Sequence, residues 1–222
     1  MKKMLKKIKP DILSIPMAAV AAAVFAIMAL PGCAGFSEPP KSVESYVLSY
    51  PAPMPADDNS GPPDAVIAVR AFDAADPYRS RQMVYADHEL RRKNYTYHQW
   101  ASKPADMVRD RIIRDLQAAQ AARSVTLAEK RLEKPTHLLW ASIEAFYEDD
   151  TRSPWQAVLE MKATLAETRS GRSGRSIVMT KTYQARQDLS QNNPLGLARA
   201  MSTALAEISE DLAADIRKAL KR

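Results

Sequence analysis

The stretch "PTHLLWASIEAFYED" (residues 135–149) alternates apolar and polar side chains with a period of two. That period is typical of a β-strand with one buried face. The side chains that we expect on the buried face are Leu139, Ala141, Ile143, Ala145 and Tyr147. The stretch therefore predicts a long strand, and the segments on both sides of it predict what surrounds that strand.

The next stretch, "PWQAVLEMKATLAET" (residues 154–168), repeats the pattern. The residues expected on its two faces are Leu159, Met161, Ala163 and Leu165, opposite Glu160, Lys162 and Thr164. A third strand is expected in "SIVMTKTYQAR" (176–186), and the segments "EDDTRSP" (148–154) and "RSGRSGRS" (169–176) have the composition of turns. These elements predict a three-strand meander.

Earlier in the chain, "AVIAVRAF" (residues 65–72) predicts a mostly buried strand. The stretches "RQMVYADHEL" (81–90) and "NYTYHQWA" (94–101) predict a strand pair that is joined by the charged turn "RRKN" (91–94). A short strand is also expected in "SYVLSY" (45–50).

Two segments have helical periodicity. In residues 102–120, Pro104 suits a first helical turn and Asp106 suits the positive end of the helix dipole. The apolar stripe of this helix would hold Val108, Ile112, Leu116 and Ala119. The stripe of the C-terminal helix would hold Met201, Leu205, Ile208, Leu212, Ile216 and Leu220. The order of elements predicts one α+β domain over residues 64–222, a mainly antiparallel sheet with two helices packed on one face.

Residues 1–32 have the features of a bacterial export signal. Five lysines precede an apolar run over residues 12–30, and small residues follow it. An uncleaved membrane anchor is the alternative, because the run is nearly as long as the roughly 20 residues that span a bilayer. The abundance of alanine in the run favours cleavage.

Cys33 is the only cysteine in the chain, so it has no partner for an intramolecular disulfide. The sequence Leu30-Pro31-Gly32-Cys33 resembles the lipobox that is cut by lipoprotein signal peptidase, although Pro31 departs from the usual alanine or serine. The Cys33 thiol would accept a diacylglyceryl group. After cleavage between Gly32 and Cys33, the new amino terminus would take a further acyl chain. Several acyl chains make a stable anchor where one does not. A buried structural cysteine is the alternative interpretation.

Residues 33–63 are expected to form a tether, because seven of the fifteen prolines lie in them. Most of the formal charge of +6 belongs to the residues before Cys33. Five of the 32 basic and one of the 26 acidic residues precede Cys33, which leaves 27 basic and 25 acidic residues. No basic tract with interleaved aromatic residues remains, so nucleic acid is not an expected partner.

No arrangement of residues predicts catalysis. His88, His98 and His137 do not have a metal-ligand spacing, and neither a phosphate-binding loop nor a nucleophile elbow occurs. The acidic run at residues 148–150 is expected to be a solvated turn, with calcium binding as the weaker alternative. We therefore expect a non-enzymatic tether, adaptor or binder without a cofactor other than the lipid on Cys33. An envelope hydrolase is the least favoured alternative.

Several stretches together resemble the ABC-type transport auxiliary lipoproteins, a family that includes the lipoprotein of the paraquat-inducible intermembrane transport system. They are the lipobox cysteine, "YVL" at 46–48, "IAVRAF" at 67–72 and the C-terminal helix. The most specific block runs over residues 83–116, with Val84-Tyr85, Tyr95, Tyr97, Trp100-Ala101 and Pro104 at the matching positions.

The resemblance implies an outer-membrane lipoprotein that faces the periplasm and serves an ABC transporter with a membrane-spanning MCE-type partner. Ala34, in the place of an inner-membrane retention aspartate, favours the outer membrane. Tyr95, Tyr97 and Trp100 are candidates for the docking surface, since aromatic residues are enriched at interfaces. Cross-strand packing is the alternative role of these rings. A structural lipoprotein of envelope assembly and a homo-oligomer both stay open as alternatives.

Overall fold

The two long amphipathic strands lie side by side in the computed structural model, which describes residues 42–55, 61–130, 133–168 and 175–221. The predicted signal peptide, Cys33 and most of the predicted tether lie outside the described residues, and so does the predicted turn at 169–174.

The described part of the chain contains nine strands and two α-helices. The strands are β1 (Glu44–Tyr46), β2 (Val66–Val69), β3 (Asp73–Ala74), β4 (Gln82–His88), β5 (Arg91–Trp100), β6 (Ser124–Leu127), β7 (His137–Asp149), β8 (Gln156–Thr168) and β9 (Arg175–Asp188). The helices are α1 (Pro104–Ala118) and α2 (Pro194–Leu220), and 3-10 turns lie at Asp76–Tyr78 and Ala128–Lys130. Among the described residues, no helix combines the length and the apolar character needed to cross a bilayer.

The hairpin of β7 and β8 confirms the alternation only in part. Leu139, Ala141 and Ile143 are buried as predicted. A β-bulge at Glu144 then inserts one extra residue, because Ile143 pairs with Met161 whereas Ala145 pairs with Glu160. The placement of Ala145 and Tyr147 on the same face as Leu139 is therefore wrong. The residues of this half that are buried instead include Phe146 and Glu148.

The sheet is mixed and curled into a half-barrel, so the predicted mainly antiparallel sheet is also wrong. The antiparallel pairs are β7–β8, β8–β9 and β4–β5. Strands β2, β3 and β4 lie one after another along the free edge of β7, all parallel to it. Further parallel pairs join β2 to β6 and β1 to β5.

The reason for this difference is that strand direction depends on partners that are distant in the chain. Strands β2 and β6 are separated in the chain by β3–β5 and α1, and so long a connection lets β6 lie parallel to β2. The four residues of β2, "VIAV", are all buried. A short continuous apolar run of this kind is typical of parallel strands that are covered on both faces.

The hairpin of β4 and β5 turns at Glu89–Leu90, so the predicted turn at residues 91–94 is wrong. The pairing shows why β5 is longer than β4. From the pair Gln82–Gln99 to the pair Val84–Asn94, β4 advances by two residues and β5 by five. Residues 95–98 therefore form a large bulge opposite β4, and residues 91–94 belong to the strand and not to a turn.

Both helices form as predicted, and their apolar stripes are buried against the sheet and against each other. Helix α2 packs on β8 and β9, and α1 contacts β6, β7 and α2. At the start of α2, the Asn193 side chain accepts a hydrogen bond from the Gly196 N–H at 2.8 Å. A Cβ atom at Gly196 would lie 1.9 Å from the backbone oxygen of Gln191, so the close approach at this cap requires glycine.

Part of the predicted tether is packed on the domain. Strand β1 pairs with the end of β5, and Leu48 is buried. The Ser49 N–H donates to Ser202 Oγ at 3.0 Å. The Tyr50 hydroxyl donates to Asp115 Oδ2 at 2.6 Å. These contacts hold residues 44–50 against the helices.

Candidate functional site

The three aromatic candidates all lie on β5, where the bulge gives them different environments. Trp100 is only 1% exposed, and its ring meets Phe146 edge-on with centroids 5.1 Å apart. This residue packs the core, as the alternative interpretation of the block expects. Tyr95 is half-buried, and Tyr97 is 44% exposed. Of the three, Tyr97 therefore presents the most surface to a partner.

Tyr95 belongs to a row of aromatic rings. Its ring centroid lies 5.0 Å from that of Tyr85 and 5.8 Å from that of His98. The His98 ring lies in turn 5.9 Å from that of Tyr46, on β1. These spacings are in the range of favourable aromatic pairs. We call Tyr46, Tyr85, Tyr95 and His98 the aromatic strip.

The Tyr46 end of the aromatic strip carries an acid. The Tyr46 hydroxyl donates to Glu44 Oε2 at 2.6 Å, and the oxygen of that hydroxyl lies 3.2 Å from His98 Nδ1. Partial burial and the bond to Glu44 raise the pKa of Tyr46 to about 12. The hydroxyl therefore keeps its proton at neutral pH and acts as a donor.

Tyr95, which lies between Tyr85 and His98 in the aromatic strip, contacts a buried carboxylate. The Tyr95 hydroxyl donates to Glu148 Oε1 at 2.7 Å. Glu148 is fully buried, and its Oε2 atom has no hydrogen-bond partner among the described residues. Burial raises the pKa of Glu148 to about 7, and the neighbouring Asp150 adds to the rise, whereas the bond from Tyr95 opposes it. Burial also raises the pKa of Tyr95.

The acids after Glu148 are held by short contacts or by burial. The Thr151 hydroxyl donates to Asp149 Oδ1 at 2.5 Å. Asp150 Oδ1 is buried without a partner in the described part of the chain, and burial raises the pKa of Asp150. Asp87 differs, because hydrogen bonds from Arg91 and Lys93 lower its pKa to about 2. The predicted solvated turn is thus partly buried.

The three histidines lie apart. His88 is at the end of β4, where its Nδ1 accepts from the Leu90 N–H. His98 lies in the aromatic strip, and burial lowers the pKa of His137 at the start of β7. Among the described residues, no group of three or more His, Cys, Asp and Glu side chains is placed to hold a metal ion. This region brings together aromatic rings, hydroxyls and carboxylates.

Sequence reasoning missed the contributions of Tyr46, Tyr85, His98 and Glu148. The spacing of Tyr95, Tyr97 and His98 in the chain was visible, but a regular strand would put Tyr95 and His98 on opposite faces. The bulge brings both rings to the same side. The pairing of β1 with β5 then adds Tyr46, from a segment that was expected to be tether.

Comparison with solved structures shows the same fold in other proteins. The crystal structure of protein XCC0632 from Xanthomonas campestris, assigned to family model DUF330, has 18% identity and a TM-score of 0.67, and the match covers 79% of this chain and 96% of that one. A crystal structure described as an uncharacterized protein has 13% identity and a TM-score of 0.60, with 79% and 99% covered. At these identities the likeness concerns the fold alone.

Comparison at the level of sequence adds a family. The family model of the ABC-type transport auxiliary lipoprotein component matches residues 46–213. None of the curated proteins compared with the chain matches it significantly. The family match begins at Tyr46 and includes all of β2–β9 and both helix cores, so it covers the aromatic strip and the domain beneath it.

Proposed function

The chain belongs to the ABC-type transport auxiliary lipoprotein family, and from this premise we propose that it is the accessory subunit of an intermembrane lipid transport system. The family match carries the first half of this statement: the protein is an auxiliary component of ABC-type transport. The lipid cargo and an MCE-type partner that spans the periplasm are the finer part of the proposal. The resemblance of the residue 83–116 block to a family that includes the lipoprotein of the paraquat-inducible system supports it.

We place the protein at the periplasmic face of the outer membrane, anchored through acyl chains on Cys33. Leu30, Gly32 and the isolated thiol support this anchor, and Ala34 supports the outer membrane. Replacement of Cys33 by alanine is expected to abolish labelling with radioactive palmitate and to release the protein from the membrane. Continued labelling of the Cys33→Ala variant would contradict the anchor.

We further propose that the aromatic strip, together with the exposed ring of Tyr97, docks the transport partner. Aromatic rings contribute large apolar areas at interfaces while their hydroxyls remain hydrogen-bonded. Tyr46 and Tyr95 have both properties, because each ring packs in the strip and each hydroxyl donates to a carboxylate. Trp100 acts beneath this surface by packing against Phe146.

Co-purification from native membranes tests the partner. The wild-type protein, solubilised in mild detergent, is expected to recover an MCE-domain protein with its ATPase and permease. Tyr97→Ala is expected to weaken this recovery about tenfold, the effect of one interface anchor. Ile177→Ala is the matched control, because Ile177 is 66% exposed and lies at the start of β9.

Two results would contradict the proposal. Recovery of only peptidoglycan or assembly factors with the wild type would favour a structural lipoprotein of the envelope. Equal losses for Tyr97→Ala and Ile177→Ala would contradict the position of the docking surface and leave the transport role intact.

A further inference from the structure

A cavity of about 690 Å³ lies where the β4–β5 turn meets the end of β7. Its lining combines three guanidinium groups, of Arg92, Arg152 and Arg186, with four carboxylates, of Asp87, Glu89, Asp149 and Asp150. We call this end of the domain the hairpin pole. A lining with both signs of charge suits a ligand that itself carries both signs.

Two of the guanidinium groups at the hairpin pole, those of Arg152 and Arg186, are only loosely engaged. Arg186 and Arg152 lie 3.6 and 3.9 Å from Asp149 Oδ2, longer than the 2.7–2.9 Å of a strong charge-assisted hydrogen bond. Their side chains are 38% and 68% exposed. Arg92 stacks over the Tyr147 ring at 4.1 Å, which fixes its guanidinium beside the cavity. The Arg92 guanidinium also donates to the backbone oxygens of Glu89 and Arg91 at 3.2 Å. Arg152 and Arg186 are therefore the groups that remain available for a phosphate.

The acidic side of the cavity lacks a donor. Asp150 Oδ1 is buried and has no hydrogen-bond partner among the described residues. Such an unpaired acceptor is costly unless a donor or a cation reaches it. Asp87, which also lines the cavity, is already bonded to Arg91 and Lys93. An ammonium group with its three donors is a suitable partner for Asp150.

The path of the chain is an independent observation that brings this pole to a membrane. Strand β1 runs parallel to β5, with Glu44 beside His98, so the residues before Val43 leave toward the first residues of β5. From Gln82, opposite Gln99, to Glu89 the hairpin spans roughly 23 Å at 3.3 Å per residue. The ten residues from Cys33 to Ser42 reach roughly 33 Å when extended. This length exceeds the span of the hairpin, so the segment is long enough for an anchor on Cys33 to lie at the hairpin pole.

The tip of the pole presents an apolar side chain. Leu90 lies in the β4–β5 turn and is 89% exposed. Its neighbours in the chain are Glu89 on one side and Arg91 and Arg92 on the other. An apolar side chain flanked by charges can enter the boundary between headgroups and acyl chains, while the charges stay in the headgroup layer.

We infer that the hairpin pole binds the surface of the phospholipid bilayer that holds the anchor, with a zwitterionic headgroup in the cavity. The headgroup phosphate contacts Arg152 and Arg186, its ammonium contacts Asp150, and Leu90 enters the interface. The inference rests on the proposed anchor at Cys33. It adds an orientation and a ligand class, a phosphate joined to an ammonium, as in phosphatidylethanolamine.

The single native cysteine makes a clean test, because a second cysteine can be labelled alone once Cys33 is acylated. The full lipidated protein is reconstituted into phosphatidylethanolamine–phosphatidylcholine vesicles that contain a lipid-borne quencher. A fluorophore is attached through Leu90→Cys or, as the control, through Ile177→Cys. Position 177 is also exposed, and it pairs with Ala166 near the opposite end of the sheet. We expect quenching at position 90 to exceed that at position 177 by about threefold.

The ligand class is tested with the Arg152→Ala/Arg186→Ala variant. Loss of two phosphate contacts is expected to lower the affinity of the protein carrying Cys33→Ala for the same vesicles by about tenfold. Arg123→Ala is the control, because Arg123 is 51% exposed and pairs with Asp64 and Glu133 away from the cavity. Glycerophosphoethanolamine at high concentration is expected to compete for binding.

Three results would overturn the inference: equal quenching at positions 90 and 177, equal affinity of the arginine double variant and Arg123→Ala, or binding to phosphatidylglycerol vesicles alone. The first is measured on acylated protein and the second on protein carrying Cys33→Ala, so each contradicts the pole independently of the anchor. A wild-type protein that carries no acyl groups on Cys33 in cells would contradict the anchor, and quenching of its Leu90 label in added vesicles would still support the pole.

Discussion

Two fully buried carboxylates, Asp115 and Glu148, differ in how they are satisfied. Asp115 accepts from Tyr50 and Ser209 on one oxygen and from Arg114 on the other. Glu148 accepts one hydrogen bond, from Tyr95, and its second oxygen has no partner among the described residues.

This difference separates a structural region from a surface region. At Asp115, both carboxylate oxygens have hydrogen-bond donors, from one guanidinium and two hydroxyls. The Asp115 cluster therefore joins α1, α2 and the N-terminal segment. Glu148 lies with one donor beneath the aromatic strip, and its pKa of about 7 shows that its charge is poorly supported. The Asp115 cluster therefore stabilises the fold. Near the aromatic strip and the hairpin pole, by contrast, Glu148 Oε2 and Asp150 Oδ1 have no hydrogen-bond partner among the described residues.

The largest effect is expected from Asp115→Ala. Removal of this carboxylate leaves the Tyr50 and Ser209 hydroxyls and the Arg114 guanidinium without their acceptor, and breaking a buried pair costs about 3 kcal/mol or more. Urea unfolding measures the change. Asp110→Ala, on the same helix and 63% exposed, is the control and should have no measurable effect. A similar loss in both variants would mean that the cluster does not hold the fold.

An effect of opposite sign is expected from Glu148→Gln. Because the folded-state pKa of about 7 lies above the ordinary 4.5, the folded protein retains a proton that the unfolded chain releases. The stability from this group is complete below pH 4.5 and is lost as the pH rises through 7. The variant should therefore be more stable than the wild type at pH 8, on the order of 2 kcal/mol, and no more stable at pH 4.5.

Unfolding curves of Glu148→Gln and the wild type across this pH range measure the difference. Asp150 raises the pKa of Glu148, so Asp150→Asn is expected to lower that pKa. At pH 8, Glu148→Gln should then add less stability to a protein that carries Asp150→Asn than it adds to the wild type. A constant difference between wild type and Glu148→Gln at all pH values would show that the pKa of Glu148 is the same in the folded and unfolded states.

The smallest effect is a contrast between two matched hydroxyl deletions. Tyr50→Phe leaves Asp115 with Ser209 and Arg114, whereas Tyr95→Phe leaves Glu148 with no donor that the described residues provide. Each variant is expected to be about 1 kcal/mol less stable than the wild type at pH 8, because it loses one hydrogen bond. Only Tyr95→Phe should raise the pKa of Glu148, so only its loss should disappear at pH 4.5. If the stability of the two variants changed with pH in the same way, the proposed difference between Asp115 and Glu148 would be contradicted.

The sequence alone predicts the elements whose pattern is local. The alternation in β8 and the apolar stripes of α1 and α2 are visible because each depends on neighbours a few residues away. The family resemblance of the block at residues 83–116 was visible for the same reason, and the family match over residues 46–213 confirms the family.

What the sequence does not predict depends on distant partners. The bulge at Glu144 exchanges Tyr147 for Phe146 on the core face, and it occurs where Phe146 can pack on Trp100. The bulge at residues 95–98 assembles the aromatic strip only because β1 and β4 lie beside β5. The parallel pairs along β7 and the bond from Tyr50 to Asp115 likewise join segments that no local pattern connects.

Site-specific photo-crosslinking in living cells tests the central claim, that the aromatic strip and the exposed ring of Tyr97 face the transport partner. A benzophenone side chain is placed at Tyr97 or at Ile177 in the full lipidated protein, and the crosslinked products are identified by mass spectrometry. The account predicts a product with an MCE-domain protein from position 97 and none from position 177. An MCE product from position 177 alone, or products of position 97 that contain only envelope-assembly proteins, would contradict it.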